Sequence, residues 1–305
     1  MTRSLGLDLG GTNIKVVVLD DADGPEQVVF SETFPTLAER GPTAVVDRLI
    51  ALAAETTESH GGIEAVGIGI PGLFDVTLGT IELFPNLPGP WKGQSVRDPV
   101  AESLGLPVTL INDARAFTLA EGTIGAGRGS STLVCVTLGT GIGGGIMFDG
   151  ELYTGPLGVA GEIAHQTVLP DGPMCGCGNR GCAEALARAD AIAARAGRTT
   201  VQEVYAGVEG GDPDFVAAVR FAAYYLGIAL ANAVALLGPD RIVIGGGIAE
   251  AGNVVLDPIR QALRERVTLV PTDAIDVVSA ALGSKAGAVG AALAARGLVH
   301  PVRAR

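Results

Sequence analysis

Two widely separated stretches share one design, and that repetition constrains the fold more than any other feature of the chain. Leu5 to Thr12, LGLDLGGT, reads as a short apolar strand that carries Asp8 and ends in a double glycine, and Ile14 to Leu19, IKVVVL, reads as a second strand ending at Asp20. Thr132 to Gly145, TLVCVTLGTGIGGG, repeats the plan, with an apolar strand, a glycine turn containing a threonine, and a further strand through Phe148 to Asp149-Gly150. Apolar runs separated by such turns predict β-hairpins. The likeness of residues 5–24 to 134–150 is internal evidence of duplication, and two hairpins of one kind imply two α/β lobes with a ligand held between them. Gly10, Gly11 and Thr12, and again Gly139, Thr140 and Gly141, offer backbone N–H groups and a hydroxyl to phosphate oxygens, while Asp8 is placed to hold a water of a Mg²⁺ ion. An ordinary hairpin bend uses the same residues, so each turn by itself leaves the phosphate role open.

The densest chemistry lies between Gly161 and Glu184, GEIAHQTVLPDGPMCGCGNRGCAE. Zn²⁺ takes four tetrahedral ligands from thiolate sulfur and imidazole nitrogen, and short cysteine spacings with a nearby histidine let one loop supply them. His165, Cys175, Cys177 and Cys182 make that set. Four protein ligands leave no open position, so the expected ion is structural and does not activate water. Glu162 and Glu184 flank the set, and folding the loop around the metal would present both carboxylates on one wall, where they suit sugar hydroxyls. A disulfide in a secreted protein is the competing reading. Against it, Met1-Thr2-Arg3 leads straight into a strand without a signal peptide, and Cys135 sits in an apolar run, so a reducing cytoplasm is expected.

Elsewhere the chain alternates strand and helix signals. Val28 to Phe34 and Ala65 to Gly72 read as strands, and Gly41 to Ser59 has apolar residues at helical spacing. Residues 80–98, rich in Pro and Gly, read as a loop that covers a pocket or merely crosses over; it carries Asn86 as a candidate sugar contact and Trp91 as a candidate wall. Pro107 to Asp113, PVTLIND, reads as a β-branched strand ending in Asn112-Asp113, with a helix from Ala114 to Glu121. Asp113 near that helix start is either a cap or, at the carboxyl end of a strand in an open α/β sheet, a general base. Phe221 to Leu237 is long and apolar, but its alanines, Tyr224, Tyr225 and Asn232 argue for a buried helix and not a membrane span. Asp240 to Gly247, DRIVIGGG, is a strand stopping at Gly245, Gly246 and Gly247, suited to lie against an adenosine, and Ala286 to Arg296 is a last Ala-rich helix. The 305 residues give room for two domains, and a formal net charge of −12 argues against a nucleic-acid surface.

DLGGT, LGTGIGGG, IND and IVIGGG follow the order of the phosphate, connecting and adenosine segments of the sugar kinase, actin and Hsp70 superfamily, and C-x-C-G-x-x-G-C-x-E after G-E-x-x-H resembles the ROK family of repressors, open reading frames and kinases. The resemblance implies two ribonuclease-H-like, actin-like ATPase lobes with an interlobe cleft and a structural zinc loop. Their expected extents are residues 1–113 with about 290–305, and 114–289. It also implies a hexose kinase using ATP and Mg²⁺, with glucose the first expectation and N-acetylmannosamine or another hexose the alternative; a sugar-binding sensor without catalysis is the competing class. By the same similarity Asp113 is the catalytic base and Asn112, Glu162, His165 and Glu184 are hydroxyl partners, His165 serving metal and sugar through different ring nitrogens. A homodimer, or a tetramer, is expected from the family. Repressor members carry a winged-helix region ahead of the first phosphate strand, which this chain enters by residue 5, so DNA binding is not expected. Ala164 stands where many glucose-specific members have glycine, and Ala183 where the side chain is often larger.

Overall fold

The computed structural model describes residues 3–22, 26–85, 87–156 and 158–298. The chain divides into two compact units, Met1–Ala120 with Lys285–Arg305, and Glu121–Ser284. The first opens with strands β1 (Arg3–Leu9), β2 (Asn13–Asp20) and β3 (Gln27–Pro35), followed by helix α1 (Pro42–His60) and strand β4 (Ile63–Ile70). A small hairpin of β5 (Leu73–Asp75) and β6 (Thr80–Leu83), helix α2 (Arg97–Leu104) and strand β7 (Val108–Asn112) follow. Helix α3 (Asp113–Thr123) leads into the second unit, with β8 (Thr132–Leu138), β9 (Ile142–Phe148) and β10 (Glu151–Tyr153). Then come α4 (Ala183–Ala187), α5 (Ala189–Arg195), α6 (Val201–Glu209), α7 (Pro213–Leu237), β11 (Arg241–Gly245), α8 (Asn253–Arg266) and β12 (Asp276–Ser279). Helix α9 (Ala286–Leu293) belongs to the first unit again.

The duplication read from the two hairpins extends to whole sheets. One sheet runs β3-β2-β1-β4-β7 and the other β10-β9-β8-β11-β12. In each, three strands form an antiparallel meander and two more add in parallel through helical crossovers, the route parallel neighbours require. The central strands β1 and β8 are therefore buried along most of their length, which explains the apolar run at the middle of each, with Asp8 and Thr137 at matching half-buried positions near their ends.

Glycines inside these strands mark close approaches. Gly6 of β1 and Gly67 of β4 are register partners, and a Cβ on either would fall within 1.9 Å of the Ala288 or 1.8 Å of the Ala291 carbonyl oxygen of α9. The backbone of α9 thus lies directly on the middle of the sheet, and Gly290 makes an equally close approach to Ala116 of α3. Only glycine on the sheet and alanine or glycine on the helix admit this spacing, which is why the last helix is Ala-rich.

Helix α7 begins eight residues before the expected Phe221, at Pro213, behind Asp212, whose side chain accepts the Asp214 amide at 2.9 Å. Asp then Pro is a strong helix start, because proline's missing N–H costs nothing in the first turn. By length and composition α7 is apolar enough to span a bilayer, but its Phe215, Val219, Leu226 and Leu230 are buried in the core of the second unit. Within residues 80–98, Thr80–Leu83 is a strand and Arg97 opens α2. Trp91 corrects the expectation of a pocket wall: it is only 3% exposed, stacks on Phe84 at 4.6 Å and donates its indole N–H to the Pro88 carbonyl. Burying so large a ring in the core is worth more than exposing it on a loop. Asn86 lies outside the described residues.

At the end of α3, Glu121 is completely buried. Its carboxylate accepts the amides of Ala126 at 2.8 Å, Ala281 at 3.0 Å and Leu282 at 2.8 Å. A Cβ on Gly125 would come within 2.2 Å of the same carboxylate, so glycine is needed where the loop wraps it.

Candidate functional site

Strand β7 ends at Asn112 and α3 starts at once with Asp113. The Asn112 side chain, and not Asp113, caps the helix: its Oδ1 accepts the amides of Ala114 at 3.1 Å and Arg115 at 3.2 Å, and its Nδ2 donates to the Gly72 carbonyl at 3.2 Å. Asp113 therefore stands in the first turn, half-buried, with Oδ1 on the Ala114 amide at 2.8 Å. The helix N-terminus favours the carboxylate form that a general base needs.

The two glycine turns are alike in their bonds. Gly10 donates its N–H to Asn13 at 2.9 Å, and Gly139 donates to Gly141 at 2.9 Å. Gly11, Thr12 and Thr140 are exposed, as residues meeting a ligand must be. Asp8, next to the first turn, pairs across the hairpin with Lys15. Burial pushes its carboxyl above the usual carboxylate range, and the Lys15 charge only partly opposes this. A half-buried carboxylate that a single lysine only partly balances suits a divalent cation.

The Gly161–Glu184 stretch is pressed onto β9. Gly161 has φ of 91°, a Cβ there would lie 2.8 Å from the Gly145 Cα, and a Cβ on Gly144 would lie 2.6 Å from the Gly161 carbonyl. The glycines of IGGG thus serve packing of this loop. Beyond it the chain folds back on itself: Cys175 N donates to Asn179 at 2.8 Å, Val168 N to Gly181 at 2.9 Å, and Ala183 N to Gln166 at 3.0 Å. Gly178 and Gly181 supply the left-handed conformations these reversals need.

This folding collects the four expected donors. The ligand atoms of His165, Cys175, Cys177 and Cys182 all lie within 4.8 Å of one another. A tetrahedral Zn²⁺ with sulfur at about 2.3 Å and nitrogen at about 2.0 Å spaces its ligands roughly 3.5–3.8 Å apart. The Cys175 Sγ to His165 Nδ1 distance is 3.6 Å and the Cys177 to Cys182 sulfur distance is 3.7 Å, so the donor set fits that ion. Burial pushes the Cys175 thiol up to about 12 and raises Cys182 as well, whereas the Asn179 N–H holds Cys177 below the usual thiol value. With Nδ1 turned to the sulfurs, Nε2 of His165 faces outward, 4.0 Å from the Glu162 carboxylate. Glu184 Oε2 lies 3.7 Å from Nδ1 of the same ring.

Of the three glycines after β11, Gly246 is dictated by packing, since with φ of 85° its Cβ would fall 2.3 Å from the Leu138 carbonyl. Gly245 ends the strand, and Gly247 borders a cavity of about 430 Å³ whose walls include Val204, Val208, Val219, Ile248 and Glu250. A cavity of this size, with valine and isoleucine walls and Glu209 and Glu250 as polar groups, suits a flat polar heterocycle. Sequence reasoning missed Gly287, in the first turn of α9, whose Cα faces the Asp8 carboxylate. The signal available was a lone glycine opening an Ala-rich helix.

Comparison with known proteins places the chain in a family. A model of the ROK family matches residues 4–297. A glucokinase of Streptomyces coelicolor is 35% identical, over 97% of this chain and 98% of its own length. A glucokinase of Thermotoga maritima is 38% identical, over 95% of this chain and 96% of its own. The crystal structure of a ROK family glucokinase from Streptomyces griseus, in complex with glucose and AMPPNP, superposes with a TM-score of 0.82 at 34% identity, covering 97% of this chain and 99% of that one.

Proposed function

The chain belongs to the ROK family, and we propose that within it this protein is a glucokinase, moving the γ-phosphoryl group of ATP to the 6-hydroxyl of glucose. The observation that carries this reading is the likeness, over nearly the whole length, to glucokinases of two distant bacteria. The resemblance of its α/β fold to that of the glucose- and AMPPNP-bound relative supports the same reading.

In this reading Asp113 takes the proton from the sugar hydroxyl as its oxygen attacks the γ-phosphorus, the bond to the β-phosphate oxygen breaks, and ADP leaves. Phosphoryl transfer is mostly positioning and charge neutralisation, so the remaining residues hold and orient. Gly10, Gly11 and Thr12, with Gly139, Thr140 and Gly141, take the phosphates, and Gly247 with its cavity takes the adenosine. Asp8 would hold Mg²⁺, which would supply positive charge to neutralise the phosphates. Glu162, Glu184 and the outward Nε2 of His165 accept or donate to sugar hydroxyls, with Asn112 and Asn86 as further partners. The proposed zinc site of His165, Cys175, Cys177 and Cys182 keeps that wall rigid and takes no part in the chemistry. A homodimer working in the cytoplasm completes the proposal.

The test is a coupled ADP-release assay with ATP and Mg²⁺ across glucose, mannose, N-acetylmannosamine, N-acetylglucosamine, fructose and allose. Turnover with glucose far above the rest is expected. Turnover dominated by another sugar would move the assignment to that hexose, and silence from folded, metal-loaded protein would leave a sugar-binding sensor.

A further inference from the structure

Glu184 is the point at which two parts of the second unit meet. It stands in the first turn of α4, two residues after Cys182, which is the residue preceding that helix. Oε1 accepts the amide of Ile142 at 3.2 Å, and Ile142 is the first residue after the Gly139–Gly141 turn. A Cβ on Gly141 would lie 3.0 Å from that same oxygen. Oε2 accepts the Cys175 thiol at 3.4 Å and lies 3.7 Å from His165 Nδ1. A second tether runs in parallel, from the Ala189 amide at the start of α5 to the Gly139 carbonyl at 3.1 Å. One carboxylate therefore touches the sulfur and imidazole donors on one side and the glycine turn on the other.

We propose that Glu184 is a positioning residue for the Gly139–Gly141 turn and transmits to it the state of the cysteine and histidine cluster, so that a filled cluster strengthens nucleotide binding. The inference rests on reading the turn as phosphate-binding and the cluster as a zinc site. The physical route is short. Ligation fixes Cys182 and with it the start of α4, in whose first turn Glu184 stands. Glu184 is then held by its place on the helix and by Ile142, so the amide after the turn is fixed from outside the hairpin. Without the ion, Cys182 and the start of α4 are held only by the loop's own hydrogen bonds, and the carboxylate with them. Coupling of this kind is reciprocal: if zinc raises nucleotide affinity, nucleotide raises zinc affinity by the same factor.

Calorimetric titration of Mg·AMP-PNP without sugar, into zinc-loaded and chelated protein, tests the coupling in the wild type and in Glu184→Gln. Zinc removal should weaken nucleotide binding of the wild type by on the order of 10-fold, a usual size for such coupling. The Glu184→Gln change should weaken the loaded protein similarly, and zinc removal should then add less than about 2-fold, the non-additivity expected of residues acting in one chain of contacts. In the reciprocal measurement Mg·AMP-PNP should slow zinc transfer to a chelator in the wild type and not in Glu184→Gln. Equal nucleotide affinity with and without zinc, or additive effects of substitution and zinc loss, would overturn the proposal. If the chelated protein unfolds, the zinc-transfer rate of the folded, loaded wild type decides, and indifference to nucleotide overturns it. A loaded wild type that binds no Mg·AMP-PNP at all would instead remove the kinase reading beneath.

Discussion

The carboxylate of Asp8 lies directly against the Cα of Gly287: a Cβ at that position would approach Oδ2 to 2.5 Å and Cγ to 2.7 Å. Replacing glycine by alanine in a helix normally stabilises it by up to about 1 kcal/mol. Gly287→Ala should show no such gain, because the methyl displaces Asp8. Mg·AMP-PNP affinity should fall by roughly 10-fold or more, as misplacing a site group by even an ångström is costly. Unchanged nucleotide affinity together with a raised Tm would show that Asp8 moves aside freely.

Asp8 also makes a stability prediction. Its carboxyl is raised by burial, with Lys15 partly opposing, so the folded state prefers it protonated. A carboxyl raised in this way favours folding below its unfolded value, and that contribution is lost as pH rises through the folded value. Asp8→Asn should therefore melt above the wild type at neutral pH, with the gap closing as pH falls towards the ordinary carboxyl range. Activity should fall in the same variant, a trade of stability for function. A wild type that melts higher than Asp8→Asn at pH 7 without Mg²⁺ would contradict this.

For Asp113→Asn, kcat should drop by roughly 10²–10⁴-fold, the usual contribution of a general base. The Asn side chain keeps an oxygen for the Ala114 amide, so stability should change by less than about 1 kcal/mol. Near-normal turnover would take Asp113 out of the proton-transfer role.

The cysteine cluster predicts proton release on metal uptake. Cys175, pushed up to about 12, and Cys182, also raised by burial, are protonated thiols at neutral pH and must ionise to ligate. Zn²⁺ binding should release at least two protons, so its apparent affinity should rise by at least on the order of 100-fold per pH unit near neutrality. Calorimetry in buffers of different ionisation enthalpy counts the protons directly. Release of none would mean that these thiols are not the ligands.

Glu121 is the most exacting interior polar group of the second unit, with three backbone amides on one buried carboxylate. Glu121→Ala leaves those donors without a partner and should cost about 3–5 kcal/mol in urea denaturation. A loss below about 1 kcal/mol would show that water or a loop shift replaces the carboxylate.

Much of this was legible in the chain itself. Alternation and glycine punctuation located both hairpins, the helix from Pro42 and the strand ending at Asn112, because period and turn chemistry are local properties. The donors His165, Cys175, Cys177 and Cys182 were legible for a similar reason: close spacing brings ligands together with little loop closure. The start of α7 lies eight residues ahead of the long apolar run, because the Asp212-Pro213 cap and not hydrophobicity sets that boundary.

What tertiary structure alone decided is which partner each residue meets. A pattern reports that Leu5 or Trp91 is apolar, and cannot say whether a ring fills a core or lines a pocket. Gly6 and Gly67 were unremarked strand glycines until the backbone of α9 came down on them. Glu121 marked only the end of a helix in the sequence and is a buried anchor, and Glu184, a candidate sugar contact, also holds the amide of Ile142. The sequence by itself determined the two duplicated hairpins, the main strand and helix signals beside them and the close spacing of the four candidate donors, since neighbours in the chain interact whatever the fold. The pairings across 42 residues at Glu184 and Ile142, or 160 at Glu121 and Ala281, exist only once the chain has closed around them.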